Sequence, residues 1–101
     1  QGRSAGGAAV QGGRYGVYDE LRMLLKAGEI HDLKLQQTYK LVGAQRTPAG
    51  AAVRAVTYIA DFVYTRNGKT IVEDAKGFKT KDYIIKKKLM LERFGIWVEE
   101  V

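Results

Sequence analysis

YIADFVYTRNGKTIVEDAKG, residues 58–77, decides how the rest of the chain is read. Tyr58 to Thr65 and Thr70 to Val72 are rich in β-branched and aromatic residues, and Arg66-Asn67-Gly68-Lys69 lies between them. Runs of that kind favour a pleated strand. Asn-Gly between two of them predicts a hairpin with a two-residue turn, because both central positions need positive φ. With Asn67 and Gly68 as the loop, Arg66 faces Lys69 and Val63 faces Val72. Continuing the count sets Asp61 opposite Asp74. Side chains alternate along a strand, so Lys76 shares the face of Asp74 and Asp61, while Glu73 points to the other side.

Directly opposed side chains have Cβ atoms about 5 Å apart, and two carboxylates so placed repel each other. A cation between them relieves the repulsion. Two carboxylates, water and a substrate phosphate are the ligands Mg²⁺ takes, and a lysine two residues on would orient a water or offset developing charge. A plainer alternative stands beside this: aspartates ending an exposed hairpin, with Lys76 as a surface partner. A three-residue loop with a bulge would slip the ladder and send the acids to opposite faces.

Asp61 followed by Asp74-Ala75-Lys76 resembles the D…(D/E)-x-K signature of the PD-(D/E)XK nucleases. Asp74 stands where glutamate is more frequent, and Ala60 where a proline would be. The wider string is more specific. DELRMLLKAGEIHDLKLQ (Asp19 to Gln36), then YIADFVY, VEDAKGF and a lysine-rich helix, is similar to small phage-encoded members of that superfamily, themselves similar to archaeal-type Holliday junction resolvases. The resemblance covers about Tyr15 to Val101. It implies a catalytic set of Asp61, Asp74, Lys76 and Glu20, with Mg²⁺ (Mn²⁺ substituting) held by Asp61, Asp74, the Ala75 carbonyl and Glu20. It further implies a four-way DNA junction as substrate, a homodimer to place two opposed nicks, and a cytoplasmic setting, the host's if the protein is phage-encoded. No organic cofactor is implied. Other nucleases of the fold (nicking, flap or exonuclease) and a non-catalytic DNA-binding protein are the competing readings. Glu20 is carried over because DELRMLLKAGEI matches the family string there, although the archaeal-type enzymes have an acid about two residues earlier, where Tyr18 stands. Its alternative role is a surface ion pair one helical turn away.

Composition agrees with one small domain that has a polyanionic partner. The chain has 101 residues, 46% of them hydrophobic, with a net charge of +6 and a pI near 9.7. A basic domain of this size suggests nucleic acid. The absence of cysteine excludes disulfides and thiolate metal sites, the lone His31 excludes a zinc site built on histidines of one chain, and the single serine, Ser4, leaves no serine-hydrolase triad. No apolar run reaches membrane-spanning length.

The remaining elements follow in order. Residues 1–14 are rich in glycine and alanine and read as a flexible arm in which Arg3 and Arg14 would contact DNA. Residues 15–101 form the domain. Tyr15 to Ala27 has helical periodicity closed by Gly28. Glu29 to Leu33, with His31, reads as a connector, and Leu35 to Val42 as a strand whose Gln36 and Gln37 face opposite ways. Gly43 to Ala51 is a turn-rich break around Pro48. Val53 to Thr65 is the second strand and Thr70 to Ala75 the third, with Gly77 just past its end. Thr80 caps a helix running to Phe94 and ended by Gly95. Its apolar face takes Tyr83, Ile84, Met90, Leu91 and Phe94, with Lys87 on the same face. Ile96 to Val101 is a closing strand parallel to the third. The resulting order, α-β-β-β-α-β, is a mixed α/β sheet that agrees with the PD-(D/E)XK core. Arg46, Arg54, Lys79, Lys81, Lys86, Lys87 and Lys88 are the further basic candidates for DNA contacts, and the resemblance gives Lys87 a place near the site.

Overall fold

The computed structural model of the protein describes residues 14–75 and 79–101. In chain order the elements are α1 (Arg14–Lys26), β1 (His31–Val42), β2 (Gln45–Arg46), β3 (Ala52–Val53), β4 (Val56–Arg66), β5 (Lys69–Asp74), α2 (Lys81–Phe94) and β6 (Glu99–Glu100). Four strands make a mixed sheet in the order β1-β4-β5-β6, antiparallel except for the β5–β6 pair, and β2 with β3 makes a separate two-stranded ribbon.

The β4–β5 hairpin has the expected register. Arg66 pairs with Lys69 and Val63 with Val72, and the ladder runs to Phe62–Glu73. Asn67 and Gly68 both have positive φ (52° and 77°), as a tight turn matched to the twist of its strands requires. Consecutive residues then serve opposite faces. Ile71 packs with Val17, Leu21, Ile30, Phe62 and Tyr64 under α1. Val72 packs with Leu41, Tyr58, Ala60, Val63, Tyr83, Met90 and Val98 under α2. The hairpin is therefore the middle layer, with one helix on each side.

Caps fix α2. The Thr80 side chain accepts a hydrogen bond from the Tyr83 N–H at 3.1 Å, and Gly95 takes a left-handed conformation (φ 69°) while its N–H donates to Leu91. Only Tyr83 and Met90 of this helix are fully buried. Ile84, Leu91 and Phe94, expected on the inner face, are largely exposed. The helix rests on a short stretch of sheet, so a narrower stripe than the sequence period suggests is enough.

Three boundaries depart from expectation. β1 begins at His31, not Leu35, so His31 pairs with Thr65 in a strand and is not part of a connector. A register shift follows it, where Asp32 has φ 54°. The break around Pro48 holds the β2–β3 ribbon, and Arg54 and Ala55 interrupt what composition reads as a single strand from Val53 to Thr65. The closing strand shrinks to Glu99–Glu100, though it is parallel to β5 as expected. Arg14 opens α1 and so belongs to the folded domain rather than the arm.

The unequal burial on α2 sets an expectation. Met90→Ala should lower stability by about 2–5 kcal/mol through the cavity it leaves, whereas Ile84→Ala should change it by no more than roughly 0.5 kcal/mol. Urea unfolding of the two variants checks this, and equal losses would mean that Ile84 is a core residue after all.

A candidate active site at the end of the hairpin

Asp61 and Asp74 meet one step beyond the last pair of the β4–β5 ladder, where their carboxyl groups lie close enough to influence each other's ionisation. Both are nearly sealed from solvent, with 5% of Asp61 and 1% of Asp74 exposed. Buried charge is costly unless it is paired and hydrogen-bonded, and the surroundings supply that. The Ala75 N–H donates to Asp61 Oδ2 at 2.9 Å, and the Gln36 side-chain amide donates to Asp61 Oδ1 at 3.1 Å. The Arg14 guanidinium lies 3.1 Å from the same Oδ1. The buried Tyr58 hydroxyl donates to Asp74 Oδ2.

These partners decide the ionisation. Burial alone would raise the Asp61 pKa. The Ala75 N–H, Asp74, Arg14 and Gln36 together outweigh it and hold Asp61 below its ordinary value of 3.8. Tyr58 shifts the opposite way: burial first, then its bond to Asp74, keep the phenol protonated well above its usual range. Tyr58 is thus a fixed donor at neutral pH.

Backbone strain accompanies the arrangement. Gln36 lies opposite Asp61 in the β1–β4 register, between the pairs Leu35–Phe62 and Gln37–Ala60, and has φ 54°. A glutamine in the left-handed region is uncommon. Strain of this kind costs of order 1–3 kcal/mol and clusters at functional positions. It leaves Leu35 about half exposed and brings the Gln36 amide to the acid.

A second polar cluster adjoins the first. Glu100 is the ladder partner of Asp74 across β5 and β6. Lys79 Nζ is 2.9 Å from its Oε1, while Lys87 Nζ at 2.8 Å and the Tyr83 hydroxyl at 2.9 Å both donate to Oε2. Lys79 and Lys87 push Glu100 down to about 2. On the opposite face of the sheet Glu73 is fully buried and accepts a hydrogen bond from the Tyr64 hydroxyl.

The expected site residues divide accordingly. Asp61, Asp74 and Ala75 come together. Glu20 sits half-buried on α1, and among the described residues no group of three or more His, Asp or Glu side chains gathers closely enough to hold a metal ion. Lys76 and Arg3 lie outside the described residues, as does Gly77. Arg14, expected as a DNA-contacting residue of the arm, opens α1 and pairs with Asp61. Lys79 and Lys87 hold Glu100. Arg46 donates to the Gly50 carbonyl at 2.8 Å, Arg54, Lys81 and Lys88 are exposed, and Lys86 is half-buried. Tyr58 and Glu100 were not foreseen. Strict alternation sends Tyr58 and Asp61 to opposite faces, yet both reach Asp74, because alternation in β4 breaks within the continuously buried run Ala60–Tyr64. Among the described residues no helix is long and apolar enough to cross a membrane.

A family model described as "Protein of unknown function (DUF1064)" matches residues 10–99. The chain belongs to that family. Nothing among curated proteins or solved structures matches it.

The Gln36–Asp61 contact is open to test by pH. Asp61 has a folded pKa below its unfolded one, so its contribution to stability is present above about pH 4 and is lost as the pH falls through the depressed value. Gln36→Ala removes one support of the ionised form. Stability at pH 7 should fall by about 1 kcal/mol, and the gap to the parent should close toward pH 2. Urea midpoints measured across this range check it. A gap that stays constant with pH would assign the loss to packing.

Proposed function

We propose that this DUF1064-family domain is a metal-dependent DNA endonuclease of the PD-(D/E)XK type, acting as a homodimer on four-way DNA junctions. The observation that carries the reading is the buried carboxyl pair Asp61–Asp74, held by three donors beside the end of a hairpin. A scaffold gains little from burying two acids side by side, since each costs several kcal/mol of desolvation. The donor set is all oxygen, and hard carboxylate ligands suit Mg²⁺ or Mn²⁺. Bound there, such an ion would polarise a scissile phosphate and lower the pKa of its water. The protein's own groups would do the positioning. Gln36 and the Ala75 N–H fix the Asp61 oxygens, Tyr58 fixes Asp74, and Lys76 would orient the attacking water. The basic side chains of Arg46, Arg54, Lys81, Lys86 and Lys88 would hold the phosphate backbone without reading bases. The junction and the dimer rest on family likeness, the dimer because opposed nicks ask for two-fold symmetry.

A second reading draws on Arg14. Its guanidinium supplies the positive charge that opposed carboxylates call for, and a non-catalytic DNA-binding protein would keep such an internal ion pair.

Two measurements separate the readings. Asp74→Asn should abolish Mg²⁺-dependent cleavage of a labelled four-way junction, by at least about a thousandfold, while junction affinity stays within a few-fold of the parent. Equal cleavage by variant and parent would remove Asp74 from the mechanism, and preference for a duplex end would reject a resolvase. Arg14→Ala should bind Mn²⁺ more tightly than the parent in calorimetry, because a competing cation has been removed. Absence of heat in both proteins would favour the non-catalytic reading.

A further inference from the structure

Trp97, the only tryptophan, is 53% exposed and lies just before β6. It is nonetheless held. Lys87 Nζ sits 4.1 Å from the centroid of its ring and 5.8 Å from that of Tyr83. The same ammonium donates to Glu100, which also receives Tyr83 and Lys79. Lys87 is thereby turned inward, its side chain only 13% exposed. A cation over an indole is attracted to the ring and restricts its tilt. Glu100 in turn is the ladder partner of Asp74. An aromatic platform is therefore braced from one side, open to solvent, and tied through Glu100 to β5, the strand that carries Asp74.

We propose that Trp97 is a stacking site for a nucleobase left unpaired or unstacked at the branch point, with Lys79 and the exposed lysines of α2 holding the adjoining phosphates. The proposal rests on the nucleic-acid reading above and names the part of the substrate that this surface takes. Charge selects the occupant. Glu100 and the exposed Glu99 beside it are balanced by Lys79 and Lys87 at the platform, Lys81 and Lys88 stand exposed on the same helix as Lys87 and tip the balance to positive, and the whole chain carries +6. A second copy of this chain would bring the same excess of lysine against itself, whereas a single-stranded nucleotide offers a flat π-face and a negative backbone together. Stacking of a base on an aromatic ring tolerates any sequence, as a branch-directed partner requires.

Trp97 reports on its own surface, since its emission comes from one position. The protein is titrated in EDTA with a fluorophore-labelled single-stranded oligonucleotide and with a four-way junction. Anisotropy of the label and tryptophan emission are read together. Emission should be quenched in step with anisotropy. Trp97→Leu, which keeps apolar cover over the Lys87 stem but has no π-face, should weaken oligonucleotide binding about tenfold, the scale of one base–aromatic stack. Trp97→Phe should weaken it less, with unchanged melting temperatures for both. Bound DNA with unaltered emission, and parent-like affinity in Trp97→Leu, would overturn the stacking site and leave DNA binding standing. No anisotropy change at all would remove both. Emission that shifts with protein concentration alone, together with dimer sedimentation, would place a second copy on the ring and overturn the proposal.

Discussion

Two carboxylic acids share one buried place at the end of β4 and β5, and much of the surrounding structure answers the electrostatic problem they create. Neither can be left bare, since desolvation of an ionised group costs several kcal/mol. Neither can move away, because the hairpin register fixes both. The solution comes from four separate segments. The chain just past β5 supplies the Ala75 N–H, β1 a strained glutamine, the start of α1 an arginine and the early part of β4 a tyrosine. Each donor comes from an element with its own place in the sheet or its cover. The site and the fold are thus one set of constraints, and loosening β1 or α1 would be felt first at Asp61.

The hairpin was legible because Asn67-Gly68 leaves few conformational choices, and the acid pair followed from counting outward. The second helix was legible for a similar reason: Thr80 and Gly95 each satisfy backbone groups that little else satisfies as well. What escaped is governed by departures from a period. His31 reads as connector because Glu29 to Leu33 is polar and lacks alternation, and the register shift beside Asp32 breaks the period that would extend β1 to it. Tyr58 was overlooked because alternation assigns it the wrong face. Arg14 was assigned to an arm because the glycine-rich composition before it hides a helix start, and no local pattern announces an ion pair with a residue 47 positions later (61 − 14).

The sheet also carries acids in succession on opposite sides. Asp74 is enclosed with Tyr58 on the α2 side, whereas Glu73 is enclosed with Tyr64 beneath α1. Both use a tyrosine hydroxyl as neutral donor, which serves a buried carboxyl without adding charge. Glu73 is thus a structural counterpart of Asp74: each bond ties β5 to β4, one on either face of the sheet.

The Asn67-Gly68 turn measures as well as bends. Asp61 and Asp74 lie equally far from it along the two strands, so their meeting depends on a loop of two residues and no other length. Surface loops usually absorb insertions at little cost. This one would transmit a single added residue some six positions down the hairpin, trading one acid for its neighbour on the wrong side of the sheet. The exposed ribbon between Gln45 and Val53 has no such duty. An engineer seeking a site for a tag or a graft should choose the ribbon, and treat the tip of the long hairpin as part of the chemistry.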